Sequence, residues 1–156
     1  MRVVSNATPL RYLAEIRALH LLPSLFENVV IPTAVEYELT HDHAPECIRE
    51  VISSPPEWLH IQAIQQPDIS LSFLDPGERE AILLAEEIGV HIVLLDEKMA
   101  RDVSKQRGLQ CVGTLRVLSD GAKHGDIDLV ESIERLRRTT FRVHPALLDR
   151  VLQGTL

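Results

Sequence analysis

The sequence predicts an α/β fold: a mainly parallel sheet flanked by helices. Three observations carry this expectation. Helical and strand-like segments alternate along the chain, the order of strand–helix–strand units. His91 to Leu95 (HIVLL) is apolar almost throughout, as a strand covered on both faces must be. The helix before it has well-marked ends: Asp75-Pro76-Gly77-Glu78 supplies an N-cap, a first-turn proline and a capping-box glutamate, and Gly89 supplies a stop.

Taken in order, Arg2–Ser5 is the first strand. A helix follows from about Pro9, with apolar positions at Leu10, Leu13, Ala14 and Ile16. A second helix is expected over Ala18 to Phe26. Asn28 to Ile31 is a second strand ended by Pro32, and Thr33 to Leu39 a short helix. His41 to Ser54 reads as a polar turn and a further helix, broken by Pro55-Pro56. Trp58 to Ile61 is the third strand, and Gln65 to Ser72 a polar connector. The capped helix runs to Glu87, and HIVLL ends at Asp96. Glu97 to Arg107 is a helix stopped by Gly108. Gln110 to Val112 is a short strand, and Gly113-Thr114 leads into another helix. Leu129 to Leu152 holds two amphipathic helices split near Phe141. No repeat or low-complexity tract divides the chain, so residues 1–156 are expected to form a single domain.

The formal net charge of −7 argues against a general nucleic-acid coating protein, which should be basic. It leaves room for an enzyme with a local cluster of acids. The opening MRVVSNATPL lacks a signal-peptide layout and no apolar run reaches the length of a membrane span, so a cytoplasmic location is expected. Cys47 and Cys111 follow no metal-ligand spacing and are expected as reduced thiols in the core or at its edge.

Ligands of open parallel sheets bind beyond the carboxyl ends of the strands. Two strands here end on polar groups, one at Ser5-Asn6 and one at Asp96, which would share that edge. At about 100° per residue, Ala81, Ile82, Leu84, Ala85 and Ile88 define one buried face, and Glu78 falls within it while Glu80, Glu86 and Glu87 do not. In the helix after Pro32, Glu38 falls between Ala34 and Val35, and Glu36 points away. An inward carboxylate is costly unless something compensates it, and a shared divalent cation is one compensation. Each residue also has a plainer role. Glu78 could serve only its capping box, Glu38 could be a rim residue paired with an arginine, Asp96 could cap the next helix, and Asn6 could be a turn residue. The conjunction of four such positions on four elements favours a site.

Several stretches resemble the PIN domain, a metal-dependent nuclease fold, and most of all its prokaryotic branch related to the toxins of type II toxin–antitoxin pairs (VapC-like). VVSNATPL resembles the first-strand motif S-[ND]-x-[ST]-P-L. IPTAVEYEL resembles the second-acid segment. LDPGEREAILLAEEIGVHIVLLDEKMAR is similar to the G-E-x-x-A-I-x-L-A helix followed by the strand ending in Asp. CVGTLRVLSDGAKHGDI resembles the G-T-x-x-x-L segment, and FRVHPALLDRVL the C-terminal helix. The resemblance implies a three-layer sandwich and a Mg²⁺- or Mn²⁺-dependent endoribonuclease, acting as a homodimer restrained by a small antitoxin. It implies a site of Asn6, Glu38, Glu78 and Asp96, with Thr8, Glu97 and Thr114 nearby. Asp96 and Glu78 would be the main metal ligands and Glu38 a ligand or water orienter. The family's first acid falls on Asn6, which brings no charge. One metal is therefore expected rather than two, and a catalytically impaired protein that binds RNA or a protein partner is the alternative.

Lys98, Arg101 and Lys105 are candidates for the RNA backbone, although they are also placed as solvated charges on the outward side of a surface helix. His41 and His43 read as exposed loop residues rather than ligands. Nucleotide-binding and phosphoacceptor folds are set aside, because the chain has no G-x-G-x-x-G or G-x-x-x-x-G-K-[ST] stretch and no aspartate ends its first strand.

Overall fold

The computed structural model describes residues 1–41 and 43–154. Among these, five strands form one parallel sheet: β1 (Arg2–Ser5), β2 (Asn28–Pro32), β3 (Leu59–Gln62), β4 (Ile92–Leu94) and β5 (Gln110–Val112). Their spatial order is β3-β2-β1-β4-β5. The chain winds outward from β1 in one direction through β2 and β3, then returns to the other side for β4 and β5. The order therefore reverses between β1 and β4, and the crevice of a doubly wound sheet opens at such a point. Ser5 pairs with Leu94, and the Asn6 N–H donates to the Leu94 carbonyl at 3.0 Å, so the ends of these two strands lie side by side.

The alternation of side chains along each strand divides the core. Val3, Val29, Ile31 and Leu94 join one apolar cluster, and Val4, Val30, Val93 and Leu95 join the other. The first is covered by α1 (Ala7–Glu15), α2 (Leu21–Leu25), α3 (Thr33–Thr40), α4 (Glu46–Ser53), α7 (Thr114–Lys123), α8 (Leu129–Arg137) and α9 (Pro145–Leu152). The second is covered by α5 (Pro76–Ile88) and α6 (Lys98–Gln106). The result is the expected three-layer sandwich. Ala81 to Ala85 are all buried in α5, so this helix is apolar around more of its girth than its amphipathic stripe suggests.

Some boundaries differ from expectation for local reasons. α1 begins at Ala7, with Pro9 still in its first turn, where a missing N–H costs nothing. α2 begins at Leu21 rather than Ala18 because the residues before it form i,i+3 turns, Leu21 N–H to the Ala18 carbonyl and Leu22 N–H to the Leu19 carbonyl, both at 3.1 Å. α4 starts only after Pro45, so His41, His43 and Ala44 precede it; Asp42 lies outside the described residues. Gly89 closes α5 in the left-handed region at φ 69°, as its position predicts. Cys47 is exposed on α4 rather than buried, and Cys111 is half-buried. No helix among the described residues is long and apolar enough to cross a membrane.

Candidate functional site

Asn6 stands where β1 turns into α1. It occupies the N-cap position but its side chain makes no capping bond, so a helix-capping role does not explain it. It is only 5% exposed. Its amide oxygen faces Gly77 at the start of α5. A β-carbon on Gly77 would stand 2.9 Å from Asn6 Oδ1, 3.3 Å from a Val35 methyl and 3.6 Å from Glu38 Oε1. The bare backbone of Gly77 thus lets β1, α3 and α5 converge, bringing Asn6 toward Glu38. Ser5 is buried, its hydroxyl donating to the Asn6 carbonyl at 2.9 Å.

Glu78 lies one residue further along α5 and is 6% exposed. The predicted capping box forms, with the Asp75 N–H donating to Glu78 Oε1 at 3.3 Å. The cap does not offset burial. Desolvation first, then repulsion from Asp75 and Glu97, pushes the Glu78 carboxyl up to about 7, while the cap hydrogen bond opposes the rise. Glu38 faces Gly77 and the cleft, as the inward side of α3 predicts, but is exposed there, while Glu36 is half-buried. The reason is that the α3 side carrying Glu38 meets an open cleft rather than apolar core. Its carboxyl is also raised, by partial desolvation and by Asp75, with Arg11 opposing. Glu80 is not free either: Oε1 accepts from the Ala34 N–H at 3.2 Å and ties α5 to the start of α3.

Asp96, just beyond β4, is held at the N-terminus of α7. Its Oδ1 accepts from the Thr114 N–H at 2.8 Å and its Oδ2 from the Thr114 hydroxyl at 2.6 Å. The helix end favours a negative charge there. Gly113 makes the approach possible, since a β-carbon would stand 3.0 Å from Asp96 Oδ1 and 3.7 Å from an Arg101 guanidinium nitrogen. Burial still raises the Asp96 carboxyl, against both Thr114 bonds and the nearby Arg101. Asp96 therefore does not cap α6; Glu97 occupies that N-cap position, also without a side-chain capping bond.

One cleft of about 840 Å³ gathers Thr8, Glu38, Asp96, Glu97, Lys98 and Arg101 on its lining. Asn6, Glu78 and Thr114 are buried and do not line it. Arg101 is half-buried in the cleft beside Asp96, not on the outward face of α6. Lys98 lines the cleft but pairs with Asp102 at 2.8 Å, and the exposed Lys105 does not line it. Arg11, Arg116, Arg142 and His144 also line the cleft and were missed from the sequence. Arg11 was findable, lying three residues after Thr8 on the same face of α1. Arg142 and His144 sit in the break between α8 and α9, where periodicity is silent. His41 is exposed, with Nδ1 3.1 Å from the Tyr37 carbonyl and its ring against Tyr37, and His43 is exposed.

A second cavity, of about 640 Å³, is lined by Gln65, Asp68, Glu86, Glu87 and Arg107 among others. Its charges are already matched. Arg107 pairs with Asp68 at 2.8 Å and Glu86 at 2.7 Å, and Glu87 accepts from the Gln65 and Gln66 N–H groups at 2.9 Å. Among the described residues, Glu38, Glu78 and Asp96 have no such ion-pair partner in contact.

A family model described as a PIN domain matches residues 2–155. The chain belongs to the PIN-domain family. No curated protein and no solved structure matches it. PIN domains are generally nucleases and typically depend on divalent metals. In this PIN domain the available donors are hard oxygens, as Mg²⁺ or Mn²⁺ would require. Among the described residues no three His, Cys, Asp or Glu side chains are grouped to hold a metal between them. Mg²⁺ does not need such a cage: it keeps several waters and binds through one or two carboxylates and substrate phosphates. The donor set fits an ion of that kind.

Proposed function

We propose that this PIN domain is a Mg²⁺- or Mn²⁺-dependent endoribonuclease, the toxin of a type II toxin–antitoxin pair, working in the cytoplasm as a homodimer restrained by a small antitoxin. The observations that support the nuclease reading are that Asn6 and Asp96 follow the adjoining ends of β1 and β4, where the strand order reverses, that Glu38 and Asp96 line one cleft, and that Asn6 Oδ1 and Glu38 Oε1 both face Gly77, next to Glu78. The toxin, antitoxin and dimer assignments rest on the resemblance of SNATPL and the later motifs to the VapC-like branch.

Asp96 and Glu78 would hold the metal, Glu38 would bind it or orient a water, and Asn6 would offer its amide oxygen or hydrogen-bond a water. When bound, the ion would lower the pKa of a coordinated water and neutralise charge on the phosphoryl oxygens. Thr114 and the α7 N-terminus fix the Asp96 carboxylate in one orientation before substrate arrives. Arg101, beside Asp96, would take a non-bridging phosphate oxygen, and Lys98 the adjoining backbone. Lys105 is exposed on α6 and does not line the cleft.

Asn6 favours a second reading, that of an impaired PIN domain that binds RNA or a protein partner without cutting. One pair of measurements separates the two. Calorimetric titration with Mn²⁺ should show binding to the wild type that Asp96→Asn loses, and the wild type should cut labelled RNA only when the metal is present. Metal binding without cleavage, with cleavage gained in Asn6→Asp, would establish the second reading instead.

A further inference from the structure

The nuclease reading explains the acid end of the cleft and leaves its other wall unused. There Tyr12 and Phe141 meet edge to face, ring centroids 5.1 Å apart and planes at 76°. Both rings are half-buried, packed on one side against the larger core cluster, and both line the cleft. The segment carrying Phe141 is pinned in place. The Tyr12 and Thr140 hydroxyls lie 2.7 Å apart in a hydrogen bond, and the Phe141 N–H donates to Thr139 Oγ1 at 3.1 Å. Arg142 is exposed at the mouth of the same wall, and its guanidinium has no ion-pair or hydrogen-bond partner among the described residues.

We propose that Phe141, held edge to face against Tyr12, is the platform of a nucleobase-stacking subsite, with Arg142 contacting the phosphate beside it; the Tyr12 ring itself has the Arg11 guanidinium over it, 5.3 Å from its centroid. The proposal rests on the nuclease reading and adds how the substrate is held. Tyr12 follows Thr8 by four residues on α1, so the two share a face and stand about 6 Å apart along the helix axis. Thr8 lines the acid end. A strand whose scissile phosphate lies at Asp96 therefore brings the neighbouring nucleotide, not the reacting one, over the aromatic wall. Aromatic faces interleaved with guanidinium groups are how proteins hold unpaired nucleotides: the rings stack on bases and the cations follow the backbone. A duplex keeps its bases in its own stack and offers none to such a wall. The competing role is structural, with the rings serving only to seal α9 against the core.

The test uses fluorescence polarisation on the whole chain in EDTA, so that RNA stays intact. The probes are a short fluorescein-labelled single-stranded RNA and the same strand carrying abasic residues. The wild type should bind the complete strand roughly tenfold more tightly than the abasic one. Phe141→Leu keeps an apolar side chain against the core and removes the ring; it should bind both strands with the wild type's abasic affinity, at an unchanged unfolding midpoint. Arg142→Ala should weaken both strands alike. Equal wild-type affinity for the two strands, or binding of neither, overturns the subsite whatever Phe141→Leu does. Cleavage by the wild type in Mn²⁺, measured in parallel, keeps the two readings apart. Cleavage without base preference removes only the subsite, and base preference without cleavage removes only the nuclease.

Discussion

The molecule carries two groups of acids beside two cavities, and their electrostatics run in opposite directions. At the smaller cavity Asp68 is drawn down to about 2, by hydrogen bonds from Ser70 and from the Arg107 guanidinium. In and below the larger cleft Glu38, Glu78 and Asp96 are all pushed up, each with desolvation as the first cause. Asp68 is a half-exposed carboxylate whose charge the fold has matched. The three site acids are carboxylates whose charge the fold leaves without a counter-ion in contact. An unmatched group of this kind is a functional-site candidate, because a cation from outside can supply what the fold withholds. Counting acids would rank the two places equally; following each carboxylate to its partner separates them.

The largest effect that tests this contrast is loss of cleavage in Asp96→Asn. The asparagine oxygen can still accept from the Thr114 N–H, and its NH₂ can donate to the Thr114 hydroxyl, which then acts as acceptor. The fold should therefore survive, with the unfolding midpoint equal to or above that of the wild type, since a buried charge has been removed. Cleavage of labelled RNA should fall by roughly a hundredfold or more if the carboxylate binds the ion that activates water. Cleavage at the wild-type rate would show that the unmatched acids are not the catalytic group.

Why this contrast was only partly legible in the sequence follows from the residues concerned. Strands and helices were readable from period and caps: HIVLL, the Asp75-Pro76-Gly77-Glu78 start and the Gly89 stop all stand where expected. Asp96 and Asn6 were readable because strand ends in a parallel sheet share an edge. The burial of Glu38 and Glu36 was not legible, because helical spacing reports which way a side chain points and not what lies there, and α3 turns Glu38 toward an open cleft rather than apolar core. The outward side expected for Arg101 likewise faces the cleft. Arg142, His144 and Phe141 were beyond reach as cleft residues, because they come from an irregular segment whose position is set by tertiary contacts such as Tyr12 with Thr140.

A pH series sharpens the comparison next. The Glu78 carboxyl titrates near 7 in the folded protein, against about 4.5 when unfolded. Between these values the folded state holds more protons than the unfolded one, so stability falls as pH rises through the window and stays lowered above it. At about 1.4 kcal/mol per pKa unit the loss is at most about 3 kcal/mol. Glu78→Gln should flatten this part of the curve and be the more stable protein at pH 8, as followed by urea unfolding. Mn²⁺ should recover stability at pH 8 in the wild type and not in the variant. A wild-type curve that rises from pH 5 to 7 would show that Glu78 is compensated within the fold.

Gly113→Ala probes the support of the site rather than its charge. The added methyl would stand 3.0 Å from Asp96 Oδ1 and 3.6 Å from the Leu95 carbonyl. The Leu95 carbonyl is at ordinary contact distance, so the tight neighbour is the Asp96 carboxylate, which must shift by a few tenths of an ångström and strain its Thr114 bonds. Overpacking of this kind costs about 1–3 kcal/mol, readable by urea unfolding. Cleavage should fall more steeply than stability, because small misplacements of a positioned group are amplified in rate.

The smallest effect belongs to the matched acids, and it is the control that gives the others meaning. Asp68→Asn removes one carboxylate from Arg107 but leaves Glu86 at 2.7 Å, and the amide oxygen of the new side chain can still accept from the Ser70 N–H. Arg107 is one-quarter exposed and Asp68 about one-third, so water and salt already screen the pair. The unfolding midpoint should stay within about two degrees of the wild type. RNA cleavage and Mn²⁺ binding should not change at all, because none of these groups lines the larger cleft. A variant at this position that lost cleavage while remaining folded would mean that the two cavities communicate, and partner-counting would no longer separate structural from functional acids.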